Sequence, residues 1–303
     1  MESCRTSGSK EKNEELVSSS LEKRRKGKTH VTGQFFLSLL LMWLASLIWE
    51  IYHGRSDLWT VIVGALFFEG TNRSLSIVIS VRPKLLPGIS GSSHALFINT
   101  AVSLLHSTLT SLTAVIIVTN NWYNKHDLSM FTHEQLFSGV WKGAFDLLCF
   151  SCGYFAYDQW DMLRNALYNP LAPSLLTHHM VLLVCFTSAI YRGVCVNYLI
   201  LTLICEIHSI FLHWRRVSRM SGFRNVKSKL VMLEWIFNWM TFFLTRILLH
   251  MLIFVRLILD ASKFPNGIEL PLGLMGMFLL NVLNFILGYD ILNAFVKEQR
   301  KHA

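Results

Sequence analysis

A helix needs about 20 predominantly apolar residues to cross the hydrocarbon core of a bilayer, and this chain carries eight such stretches. The first, Gln34–Tyr52, reads QFFLSLLLMWLASLIWEIY. Further spans are predicted at Leu58–Val81, Ala95–Val118, Phe137–Tyr157, Leu175–Tyr191, Val194–His213, Leu230–Leu257 and Leu272–Val296. Each crossing must satisfy its own backbone amides, because lipid offers no partner for them. The expected fold is therefore all-α, a multi-pass transmembrane helical bundle. Composition narrows the class further. Only 16% of the residues are charged, against about 25% in a soluble domain. That argues against a soluble enzyme and against a disordered chain. Six cysteines in 303 residues are too few for a secreted disulfide scaffold.

The few charges are mostly positive, 28 Lys and Arg against 19 Asp and Glu. Basic residues gather in the cytoplasmic loops of membrane proteins. With the N-terminus in the cytoplasm, 20 of the 28 fall in segments on that side. Only Arg55, Lys125, Arg192 and Lys263 face the other, and Arg73, Lys142, Arg246 and Arg256 lie within spans or at their ends. Eight helices with both termini cytoplasmic fit this asymmetry. The positive charge then reads as orientation, not as nucleic-acid affinity, and no nucleic-acid partner is expected. Residues 1–33 read as a disordered basic tail, rich in Ser, Lys and Glu. The tail is too long and polar for a signal peptide, so the first helix, 34–52, reads as a retained anchor. Residues 297–303 form a cytoplasmic basic tail. Its Lys301, third from the end, resembles a weak endoplasmic-reticulum retrieval signal. The endoplasmic reticulum and the plasma membrane are the two expected locations.

An ionisable residue inside a span is costly, which makes it a functional-site hypothesis. Asp158 and Asp161 lie at the cytoplasmic end of the fourth helix. His178 and His179 lie one turn into the fifth. Glu206 and His208 lie in the sixth, about two turns from its end at His213. Carboxylates and imidazoles on three successive helices thus share a depth. The histidine pair is the sharpest feature. Successive helical positions are about 100° apart, so the rings can flank one cleft, one acting as base and the other orienting. Glu206 could hold an imidazole in one tautomer. The alternative is that these are interfacial histidines holding helices together. His106 with Ser107 in the third helix, Arg246 in the seventh and Asn281 and Asn284 in the eighth complete the set. Glu69 and Arg73, four apart, can pair on the second helix.

Other motifs weigh less. No H-E-x-x-H is present, and His208 and His213 do not share a helical face, so no metal is expected. Cys149 and Cys152 are formally C-x-x-C but sit in an apolar run, where they read as small buried hydrophobes. Asn72-Arg73-Ser74 fits a glycosylation acceptor but falls inside a span. The basic loop around Arg215–Arg224 could meet anionic lipid head groups, although fixing topology already accounts for it.

Taken in order, these residues resemble the TLC-domain family, which includes ceramide synthases and translocating-chain-associating membrane proteins. The pieces are LLHS with His106, CGYFAYDQWDM with Asp158 and Asp161, and LLTHHMVLLVCF with His178 and His179. Then come ICEIHSIFLHWRRV with Glu206, His208 and Ser209, FLTRILLH with Arg246, and LNVLNFILGYDIL with Asn281. The resemblance implies a seven-helix TLC-like core over 58–296, with the 34–52 helix as an N-terminal addition. It is closest in style to the small TLC-domain proteins linked to membrane phospholipid composition and fluidity. It implies catalytic roles for His178, His179 and Glu206. It implies lipid or substrate contacts for His106, Asp158, Asp161, His208, Arg246 and Asn281. One departure stands out. Where ceramide synthases carry an H-D-x-x-D-like element, this chain has Cys205 before the acid Glu206, and Ser209 at the second aspartate.

Three function classes follow. The first is a lipid-homeostasis protein that binds or handles acyl lipids to set membrane phospholipid composition and fluidity. The second is an acyltransferase of the ceramide-synthase type, with acyl-CoA as co-substrate and no resident cofactor. The third is a non-enzymatic transporter or a cargo or assembly factor. Membrane lipids are the expected partners, and a homo- or hetero-oligomer is compatible with all three.

Overall fold

The computed structural model describes residues 31–81, 92–125, 128–167, 172–222, 224 and 228–300. Most of the N-terminal tail, the proline-rich segment 82–91 and the terminal Lys301 lie outside the described residues. Within them the chain is helical and strand-free. The long helices are α1 (Val31–Tyr52), α2 (Trp59–Val81), α3 (Ser92–Lys125), α5 (Ala144–Arg164), α6 (Ala172–Arg192), the pair α7 (Val196–Leu203) and α8 (Glu206–Met220), the pair α9 (Lys229–Thr241) and α10 (Leu249–Leu259), and α11 (Glu269–Gln299). A short α4 (His133–Phe137) precedes α5.

Among the described residues, seven helical segments are long and apolar enough to cross a membrane. The protein is an integral multi-pass membrane protein. The helix outside those seven is α5, which carries Asp146, Asp158, Asp161 and Arg164. It is nonetheless the innermost: fifteen of its 21 residues are buried. It packs against α2, α3, α6 and α7. Its start is displaced from the predicted span at Phe137. The chain turns at Gly143, whose φ of 81° suits glycine, and helix begins only at Ala144. Asp158 and Asp161 therefore lie inside the helix, in its last two turns.

Glycine sets the α2–α5 crossing. A Cβ on Gly153 would overlap the Val61 carbonyl oxygen, and one on Gly64 would sit 2.7 Å from that of Phe150. The two backbones thus run against each other, as small residues allow inside membranes. The outer surface is apolar, with Phe35, Met42, Leu66, Phe243 and Phe285 facing outward, while the interior combines an apolar core with buried Asn, Asp, His and Arg side chains. Helix α1 docks on α6 through polar contacts: Trp43 Nε1 donates to Thr187 Oγ1 (2.7 Å), and Ser46 meets the Tyr191 hydroxyl (3.0 Å). After α1, the Arg55 guanidinium donates to the carbonyls of Ile190 and Tyr191, which the end of α6 leaves without helical partners.

Two of the predicted spans are not regular helices. The sixth tightens between α7 and α8, where Ile204 and Cys205 donate to residues three back instead of four. The seventh widens into a π-helical turn at Phe242–Leu248. Glu206 opens α8 just after the first irregularity, and Arg246 sits inside the second.

Candidate functional site

The carboxylates of α5 organise one polar cluster. Asp158 and Asp161 are three apart, so they share a helical face. Asn99 of α3 donates to both, at 2.7 Å to Asp158 Oδ1 and 3.1 Å to Asp161 Oδ2. Asp161 Oδ1 also accepts from Asn72 of α2 (3.3 Å), Arg164 (2.6 Å) and Asn165 (2.9 Å). Asn72 donates in addition to the Tyr157 hydroxyl (2.7 Å), so the acceptor asparagine of the apparent glycosylation triplet is a buried structural residue. Arg164 continues to Glu69 (3.0 Å), which also accepts from Arg73 (2.8 Å), the i, i+4 pair expected from spacing. The second oxygen of Asp158 lies 3.3 Å from His179 Nδ1 without the alignment of a hydrogen bond. It is Asp158, not Glu206, that lies against His179.

Arg246 organises the other cluster. Its Nε donates to His208 Nδ1 (2.9 Å), Nη2 to Ser209 Oγ (2.6 Å) and Nη1 to Asn284 Oδ1 (3.3 Å). A guanidinium can only donate, so His208 must accept at Nδ1 and carry its proton on Nε2. The same logic fixes the Asn284 amide. Its nitrogen reaches the Arg246 carbonyl oxygen (3.0 Å) and His250 Nδ1 (2.9 Å). His250 Nε2 then lies 3.4 Å from the Thr202 carbonyl. The π-turn is what aims Arg246 at this set, since widening the helix by one residue rotates the side chains that follow it.

The remaining expected residues are placed separately. Glu206 accepts from Ser107 of α3 at 2.7 Å, tying α8 to α3. His106, 1% exposed, stacks flat on Tyr154, with ring centroids 3.6 Å apart. Neither of its nitrogens has a hydrogen-bond partner. The His178 and His179 rings are 5.7 Å apart, and His178 is only half-buried. Asn281 donates to Met277 of its own helix (2.9 Å) and joins neither cluster. Residues absent from the sequence-based set include Asn99 and His250. Both were visible as polar side chains inside apolar runs, the same signal that marked His106.

A small apolar cleft of about 70 Å³ opens between α6, α7, α10 and α11. Leu182, Tyr198, Ile253, Phe264 and Met277 are among its walls, and Glu269 lies at one end, paired with Arg192. Its apolar lining suits hydrocarbon better than a polar metabolite. His178, His179 and Glu206 do not line it. Among the described residues, no three His, Cys, Asp or Glu side chains gather as a metal set.

Comparison with known proteins points one way. A family model described as TLC domain matches residues 96–293. TLC domain-containing protein 2 of Danio rerio is 28% identical over 210 residues, which cover 67% of this chain and 78% of that protein. The Homo sapiens protein of the same name is 27% identical over 206 residues, covering 67% and 73%. TLC domain-containing protein 1 of Gallus gallus is 32% identical over 124 residues, covering 41% and 46%. No solved structure matches the chain.

Proposed function

The chain belongs to the TLC-domain family, and from that premise we propose that it binds or handles acyl lipids within its helix bundle and so sets membrane phospholipid composition and fluidity. The apolar cleft between α6, α7, α10 and α11 carries this reading. It opens beside helices whose outer faces are lipid-facing, so a chain enters sideways without crossing water. Lipid profiling of a knock-out tests the reading. A changed acyl composition in phospholipids is expected. Unchanged phospholipid and sphingolipid profiles would overturn it. Microscopy of the full chain assigns it to the endoplasmic reticulum or the plasma membrane.

A second reading, an acyl-CoA-dependent acyltransferase, draws on one contact. Asp158 beside His179 is the kind of pairing that orients an imidazole for base chemistry. Purified protein given acyl-CoA with amine or hydroxyl acceptors decides it. Activity that disappears in the joint His178→Ala, His179→Ala variant supports the reading, and activity that survives it removes these residues from the chemistry.

A further inference from the structure

The ion pairs that tie the ends of α8, α9 and α11 together leave one cation over. Arg224 donates to both oxygens of Glu234 (3.1 and 3.2 Å) and to Glu298. Arg215 of α8 lies 4.0 Å from the other Glu298 oxygen. Two arginines thus match two acids. Lys229, the first residue of α9, is exposed, and among the described residues it pairs with no carboxylate. The distribution of basic residues puts this end of α9 at the cytoplasmic leaflet, where acidic lipids gather.

A groove of about 640 Å³ opens at this point between α9 and α11. It runs down α9 from Ser228 and Lys229 to Met240, about 16 Å at 1.5 Å per residue. Its polarity is ordered along that length. Ser228, Lys229, Glu298 and Gln299 form the mouth, and Ile236, Trp239 and Met240 form the deep end. Ile236 and Met240 are exposed, so the groove faces the surrounding lipid and is not enclosed by the bundle. It is remote from the apolar cleft of α6, α7, α10 and α11. The nearest walls of the two on α11, Leu280 and Phe295, are about 22 Å apart along the helix.

Between mouth and deep end stands a donor without an acceptor. Trp235 walls the groove, is 4% exposed, and its indole N–H has no hydrogen-bond partner. The ring is pinned and cannot swing to find one. Arg215 lies over its face, 4.4 Å from the centroid, and Phe295 packs edge-on with centroids 5.0 Å apart. A fixed, buried donor is costly until something outside the chain supplies an acceptor. At the mouth, the Ser228 hydroxyl accepts from the Leu230 amide (3.2 Å) and keeps its own proton to donate.

We propose that this groove binds an anionic phospholipid of the cytoplasmic leaflet, with its phosphate on Lys229 and the Ser228 hydroxyl, an ester carbonyl on the indole N–H of Trp235, and its chains along Ile236, Trp239 and Met240. The order of donors matches the order of acceptors in such a lipid, charge outermost and ester within. Glu298 does not oppose the phosphate, because Arg224 and Arg215 already meet its charge. Lys229 selects an acidic head over a zwitterionic one, whose ammonium group it repels. The site lies outside the cleft that carries the proposed function and does not depend on it.

The test titrates phosphatidylserine and phosphatidylcholine, with identical palmitoyl and oleoyl chains, into the purified full-length protein and counts bound lipid by native mass spectrometry. One saturable phosphatidylserine site is expected, at least fivefold tighter than phosphatidylcholine, the preference that one basic residue near a membrane surface confers. Lys229→Glu should remove that preference. Trp235→Phe keeps the ring under Arg215 and loses the N–H, and should weaken both lipids about three- to tenfold. Ile236→Trp fills the groove from a lipid-facing position and should weaken both as well. Equal binding of the two lipids to the unaltered protein overturns the proposal and needs no variant to fold. So does a preference kept in folded Lys229→Glu. Glycerophosphoserine, the head group without chains, should not compete, and its displacing phosphatidylserine at equal concentration assigns the site to a soluble phosphate and overturns the membrane lipid. A silent knock-out lipid profile with this selectivity intact removes the acyl-lipid role proposed above and leaves the site standing. A changed profile without the selectivity does the reverse.

Discussion

The two polar clusters answer the same problem in opposite ways. Around Asp161 the charges are compensated: carboxylates meet Arg164, Arg73 and the amides of Asn72, Asn99 and Asn165. The helices there are regular, and Gly64 and Gly153 press α2 against α5. Around Arg246 a lone cation meets neutral partners, and the backbone is irregular on both helices that matter, at the tightened turn before Glu206 and the π-turn at Phe242–Leu248. The difference teaches that buried polarity in one bundle can serve two ends. A saturated network fastens helices together. A network with an unmatched charge leaves a cation held by neutral donors and acceptors alone.

The comparison can be broken or sharpened by mutation. The largest effect is expected for Asp161→Ala, which strips the acceptor from Arg164 and three amide donors. It should cost about 2–3 kcal/mol, from the buried amides of Asn72 and Asn99 that lose an acceptor, since Arg164 is exposed and keeps Glu69. Thermal unfolding in detergent reads this out, and a loss no greater than that of Asn281→Ala would dissolve the contrast. Gly153→Ala comes next. It inserts a methyl group into the Val61 carbonyl oxygen, so α2 and α5 must separate, at about 1–3 kcal/mol for overpacking. On the other side, Ser209→Ala removes one of three hydrogen bonds donated by the charged Arg246 and should cost about 1.5 kcal/mol, the lower end for a bond to a charged group. A larger loss would mean that the arginine network is structural too. Hydrogen exchange offers a version without mutation. Amides of 204–208 and 242–248 should exchange faster than those of α5, because their ladders are irregular.

The smallest effect concerns a charge pair outside the spans. Burial pushes the Asp260 carboxyl up, but the Lys263 hydrogen bond and the Arg256 charge outweigh it and hold the group below the usual carboxylate range. A depressed carboxylate adds stability that is full above its unfolded pKa and fades as pH falls through the folded one. Acid titration of unfolding should therefore show a slight loss at strongly acidic pH. Asp260→Asn should flatten it, and salt should weaken it, because Lys263 and Arg256 are substantially exposed.

Much of this was legible from residues alone. Apolar runs of the right length marked the spans, because the period and length of such runs are set by lipid and not by neighbours. Glu69 and Arg73 could be paired from spacing, since they share one helix. The start of α5 could not be placed, because Phe137 and Val140 are as apolar as true span residues and only the turn at Gly143 separates them from the helix. Asn99 and His250 are visible as polar side chains inside apolar runs, but nothing along a single helix shows that they meet Asp158 and Asn284.

The sequence by itself determined a multi-pass helical bundle, the family and several of the buried ionisable groups, because bilayer thickness and the cost of burying charge act on local composition. Only the tertiary structure decided which of those groups meet. Asp158 rather than Glu206 faces His179, Glu206 turns to Ser107, and His208 serves Arg246. Partner choice depends on how helices rotate and cross. A π-turn, a tightened turn and a pair of glycines at one crossing set those rotations, and their effect is felt across the bundle, beyond the reach of spacing along a single helix.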